Sequence, residues 1–138
     1  MAIIEINYWA VLVVAILANV IGALWYSPLL FGKQWMKLSG ITPKQTPKMK
    51  QKANVSYAIN VVASLVMAYV LAHYVDFAEA VTIAGGLQAG FWAWLGFIAP
   101  VQLGKVLWEN QPFKLYLLNT GYYFVSLLVM GAILAVWV

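Results

Sequence analysis

The chain has 138 residues, enough for one domain, with 64% hydrophobic and 9% charged side chains and a formal net charge of +4. A soluble domain carries about 25% charged residues, so this composition excludes an ordinary soluble fold and points to a bilayer, where apolar surface need not be hidden. The positive charge comes from eight lysines with no arginine, confined to loops and helix ends, which excludes a nucleic-acid-binding stripe; the lack of cysteine excludes a disulfide framework, thiolate metal sites and a cysteine nucleophile.

The N-terminal run carries Glu5 and no lysine ahead of it, and from Ile6 it is too long for a signal-peptide core, so no secretory signal is expected. It opens the first of four apolar stretches, about Ile6–Ser27, Ala53–Val75, Ala80–Leu103 and Phe113–Val138. Each reaches the ~20 residues that cross ~30 Å of hydrocarbon at ~1.5 Å per residue. Backbone groups find no water there, so helices are predicted; a β-barrel would show alternating segments of about 10 residues. The predicted fold is all-α: a polytopic membrane protein with four transmembrane helices in one domain over residues 1–138.

Local signals set the boundaries. Ser27-Pro28 closes or kinks the first helix. Thr46-Pro47 reads as an N-cap followed by proline at the first helical position, so the second helix starts in water and enters the membrane near Ala53. Asp76-Phe77-Ala78-Glu79 has the spacing of a capping box for the third helix, and Pro112 is placed to start the fourth.

Lysine sets the orientation. Lys33, Lys37, Lys44, Lys48, Lys50 and Lys52 fall between the first two helices, in a loop over about 33–52, and Lys105 and Lys114 fall between the last two. The opposite side carries Glu5, Asp76 and Glu79. Lysine-rich short loops stay cytoplasmic, which puts both termini outside a plasma or inner cell membrane. Trp25, Tyr26, Phe31, Trp35, Trp108 and Phe113 at inner ends, and Tyr8, Trp9, Tyr74 and Trp137 at outer ends, fit headgroup-level aromatic belts.

The halves of the chain resemble each other. Pro28-Leu-Leu-Phe-Gly32-Lys33 and Pro100-Val-Gln-Leu-Gly104-Lys105 both fit Pro-x-x-apolar-Gly-Lys, and Tyr57-Ala-Ile-Asn60 answers Tyr116-Leu-Leu-Asn119. Duplication would make two parallel-repeat helical hairpins, about 6–75 and 76–138, related by an axis along the membrane normal. Convergence is the other reading, since glycine ends helices and lysine marks cytoplasmic ends.

The membrane interior offers amides in place of charges: Asn19, Asn60, Gln88 and Asn119. An amide in hydrocarbon needs a partner. These four either line a solute path or join helices, with Asn60 and Asn119 bonding across the pseudo-axis. Gly86 and Gly90, with Gly96 beyond them, mark a close-packing helix face within or between chains. The aromatic run Phe91-Trp92-Ala93-Trp94 is read as lipid-facing bulk, with a cation–π surface as the alternative. His73 is the lone histidine and a poor metal site. No metal, no cofactor and no catalytic residue is predicted.

The stretch Trp25-Tyr26-Ser27-Pro28-Leu-Leu-Phe31-Gly32-Lys33, continuing to Gly40, resembles the signature of the domain of unknown function 1761 family of small bacterial and fungal membrane proteins. Ile6-Asn7-Tyr8 and Trp94-Leu-Gly96-Phe97 extend the likeness to nearly the whole chain. The resemblance implies four helices and transfers no catalytic role.

Two functions follow as expectations. One is a small channel or carrier, a homo-oligomer, with Asn19, Asn60, Gln88 and Asn119 lining the path. The other is a structural or accessory membrane protein acting through helix packing and through lipid or partner binding at the Gly86–Gly90 face. The expected partners are the lipid bilayer and further copies of the chain, without nucleic acid. Enzymatic activity is not expected, because no acid/base pair is available at membrane depth.

Overall fold

The computed structural model describes residues 5–40 and 47–137. All regular structure among them is helical: α1 (Tyr8–Trp25), α2 (Gly32–Ser39), α3 (Pro47–Phe77), α4 (Ile83–Phe97), α5 (Ala99–Gln102), α6 (Gly104–Trp108) and α7 (Phe113–Val136). Among the described residues α1, Gln51–Phe77 of α3 and α7 are long and apolar enough to span a membrane, consistent with a membrane location.

The third apolar stretch is not one continuous helix. α4 has 15 residues, about 22 Å at 1.5 Å per residue. Pro100 explains the stop, because its ring collides with the carbonyl four residues back and its nitrogen donates nothing. The helix therefore ends at Phe97 and resumes as α5 with the proline in its first turn. The Tyr116 hydroxyl donates to the Ala99 carbonyl at the break, 2.7 Å away. A neighbouring helix thus steadies the interrupted backbone.

Cross-helix bonds fix the helix directions. The Asn7 side chain caps α1 by accepting from the Trp9 and Ala10 amides, and its Nδ2 donates to the Trp137 carbonyl at 3.4 Å. At the other end of α1, the Trp25 indole donates to the Leu118 carbonyl at 3.0 Å, so α1 and α7 are antiparallel. Tyr8 stacks on Tyr69 at 6.5 Å and Asn19 meets Asn60, so α1 and α3 are antiparallel too. Gly86 lies against Gly131, and the Trp94 indole donates to the Thr120 carbonyl at 2.8 Å. Hence α1 and α4 run one way and α3 and α7 the other.

The interior is built from small side chains. Ala10, Ala15 and Ala18 of α1, Ala68 and Ala72 of α3 and Ala135 of α7 are buried around Val14, Leu71 and Met130. Large apolar side chains such as Val62, Val66, Trp92 and Leu117 point outward instead. Small inside and large outside is how helices pack when their surroundings are as apolar as their side chains. The core lies toward the end that holds Asn7 and Trp137; toward the opposite end α3 leaves the bundle, and residues 54–63 are all exposed.

Two boundary expectations change. Asp76 is inside α3 and does not cap the third helix. Glu79 takes a left-handed φ of 53°, and the Ala80 amide returns to the Val75 carbonyl at 3.1 Å, so this segment closes α3. Thr82 caps α4, accepting from the Gly85 amide at 3.1 Å. α3 does begin at Pro47, while Thr46 and Lys44 lie outside the described residues. Pro112 is the N-cap of α7.

Candidate functional site

The segment Trp25–Lys33 folds into one tight reverse turn joining α1 to α2. The Phe31 amide donates to the Trp25 carbonyl at 2.9 Å, the Gly32 amide to the Ser27 carbonyl at 2.8 Å, and the Ser27 hydroxyl to the Leu24 carbonyl at 2.6 Å. Pro28 stands exposed in the turn. Gly32 opens α2 and is buried, and a Cβ there would lie 2.6 Å from the Ser27 carbonyl carbon. No other residue fits without opening the turn, because real Cβ atoms do not approach backbone that closely. Lys33 is exposed at the start of α2.

The turn is fastened to α7. Trp25 packs on Phe31 at 4.7 Å while its indole binds the Leu118 carbonyl. The Tyr26 hydroxyl donates to Asn119 Oδ1 at 2.8 Å, and its ring meets Trp35 and Tyr122 edge-on at 5.6 and 5.7 Å. Tyr122 in turn donates to the Ala18 carbonyl at 2.8 Å.

The interior amides do not converge. Asn60 Nδ2 donates to Asn19 Oδ1 at 2.9 Å, and Asn19 Nδ2 donates to the Ala15 carbonyl at 2.8 Å. The expected pairing of Asn60 with Asn119 is therefore not the one formed: both amides bond to the α1 segment, Asn60 midway along the helix and Asn119 at the turn beyond its end. Gln88 is exposed near the start of α4, lining a surface cavity with Glu79, Thr82 and Trp92.

Of the predicted packing glycines, two meet a partner helix. Gly86 rests on the backbone of Gly131, and Gly90 on that of Leu127, so closely that a Cβ at either would overlap a carbonyl of α7. The Gly86–Gly90 face is thus filled within the chain and is not open to a partner. Gly96 has nothing within 4 Å of its Cβ position and takes no part in this packing. Trp94 points inward to α7, at 4.9 Å from Phe124, whereas Trp92 is outside. His73 Nδ1 pairs with the Tyr69 carbonyl at 2.9 Å, and no cluster able to hold a metal occurs among the described residues.

Cavities of opposite charge lie at the two ends. One of about 260 Å³ includes Glu5, Asp76 and Glu79 beside Asn7 and Trp137. The other, about 550 Å³, sits between the turn, α2 and the start of α7, and is lined by Trp25, Phe31, Gln34, Lys37, Leu38, Lys114, Leu117 and Leu118. No spacing in the sequence marks this second cavity, because Lys37 and Lys114 come from separate loops. Of the apolar residues Trp35, Met36 and Leu38 that stand beside lysines in the sequence, only Leu38 lines it.

With this geometry in place, a family model described as "Protein of unknown function (DUF1761)" matches residues 9–135. No curated protein and no solved structure matches the chain.

Proposed function

The chain belongs to the DUF1761 family of proteins of unknown function, and we propose that it is a structural or accessory membrane protein, acting through helix packing and lipid contact and not through a solute path. The observation that carries this reading is the Asn60–Asn19 hydrogen bond. A path needs polar groups turned toward a shared water-filled space. Here Asn19 and Asn60 answer each other, Asn119 answers Tyr26, and Gln88 lies apart on the surface.

In this reading the chain crosses the bilayer four times, with α4 and α5 together making the third crossing. The alternating helix directions support it, as does the Asn7–Trp137 contact that brings the start of α1 to the end of α7. The lysine-bearing end faces the cytoplasm and both termini face outward. The parallel course of α1 and α4 supports two repeated hairpins, and so does the start of both α2 and α6 at the glycine of the Pro-x-x-apolar-Gly-Lys motif.

Solute flux into liposomes containing the pure protein tests the proposal. The expected result is no flux above empty liposomes for potassium, an organic cation or a small neutral solute. Saturable flux that Asn60→Leu abolishes would overturn it and restore the channel or carrier.

A further inference from the structure

We propose that the cavity between α2 and the start of α7 binds the phosphate headgroup of an anionic phospholipid. The inference rests on the membrane reading above but not on the lack of a solute path.

The cavity has the profile of such a lipid. Lys37, in the last turn of α2, and Lys114, in the first turn of α7, give it two cations from opposite halves of the chain. Among the described residues no carboxylate lines it, so none of them neutralises either charge within the pocket. Gln34 adds an amide that can donate to a phosphate oxygen or a glycerol hydroxyl. Leu117 and Leu118 follow Lys114 by one turn into α7, and Trp25, Phe31 and Leu38 complete an apolar wall. Charge at the rim above an apolar wall matches a headgroup above its acyl chains, and basic pockets between helices on the cytoplasmic side are suited to anionic headgroups.

The walls are held in place. Trp25 is tied to the Leu118 carbonyl, and Gly32 lets the turn close tightly enough to lay α2 beside α7. The turn residues that carry the family resemblance therefore shape this cavity. A free phosphate would use the same lysines, but it would have no use for the apolar wall, which favours the lipid.

The full chain, purified in detergent, is offered equal amounts of phosphatidylglycerol and phosphatidylcholine, and retained lipid is read by native mass spectrometry. Wild type should retain phosphatidylglycerol. Lys37→Gln with Lys114→Gln should weaken that retention by about 30-fold, taking both lysines at the surface-lysine scale. Lys33→Gln with Lys105→Gln, outside the cavity, should stay within about twofold of wild type, and Lys37→Arg with Lys114→Arg should retain the lipid. Equal loss in the two glutamine pairs, or no loss in the first, would overturn the site. Displacement of the lipid by an equal concentration of glycerol phosphate would overturn the lipid as its occupant. None of these outcomes depends on solute flux, so a failure here and a failure of the proposed function are told apart.

Discussion

Asn60 on α3 donates its side-chain amide to the side-chain oxygen of Asn19 on α1, 2.9 Å away, while Asn19 donates to the Ala15 carbonyl one turn behind it. The pair ties α3 to α1 within the exposed stretch over residues 54–63, where α3 leaves the bundle. Beyond it, residues 54–59 of α3 are all exposed.

A double-mutant cycle on Asn19→Leu and Asn60→Leu should give a coupling of about 0.5–1.5 kcal/mol, the range for hydrogen bonds between helices in membranes. Reversible unfolding in mixed detergent micelles measures it. Additive effects of the two substitutions would mean that the bond contributes nothing to folding.

Gly86→Ala and Gly90→Ala should each destabilise the protein by about 1–3 kcal/mol, since the added methyl meets α7 backbone that cannot turn aside. Gly96→Ala should be neutral or stabilise by up to about 1 kcal/mol, because its site is open and alanine favours the helix. The same unfolding assay separates the three. Equal losses at all of them would deny that the α4–α7 approach is what needs glycine.

Tyr26→Phe should cost about 1 kcal/mol by leaving Asn119 without its donor while preserving the ring contacts with Trp35 and Tyr122. Asn119→Leu in the Tyr26→Phe background should cost less than Asn119→Leu alone. Thermal unfolding followed by circular dichroism reads both.

Gly32→Ala should loosen the turn, because its Cβ would press on the Tyr26 and Ser27 backbone. Limited proteolysis between Ser27 and Lys33 should become faster than in wild type, with the helical content of α1 and α7 unchanged. Unaltered cleavage would show that the turn accommodates a side chain.

Much of this architecture is written in local chemistry. Long apolar runs predict α1, α3 and α7, and Gly86 with Gly90 predicts a close helix approach. Other features depend on what packs against what. The Asp76–Glu79 spacing suits a capping box, yet Asp76 still belongs to α3, which ends at Phe77, and Thr82 is the residue whose hydroxyl meets a free amide. Pro100 carried enough information to place the break after Phe97, but the apolar run across it masked the interruption. The partners of Asn60 and Asn119 could not be read from a repeat, since both bond to the α1 segment, at Asn19 and Tyr26, and not to each other. The cavity at Lys37 and Lys114 needed the turn to close before residues 77 positions apart could meet.

If α4 and α5 complete a third crossing, the loop before α7 returns to the side that holds α2. The chain has no cysteine, so single cysteines at Glu5, Ser39, Glu79 and Glu109 can be probed in intact cells with a membrane-impermeant maleimide. Glu5→Cys and Glu79→Cys should label at once, and Ser39→Cys and Glu109→Cys only after the membrane is opened. Labelling of Glu109→Cys but not Ser39→Cys in intact cells would mean three crossings, and would contradict the account.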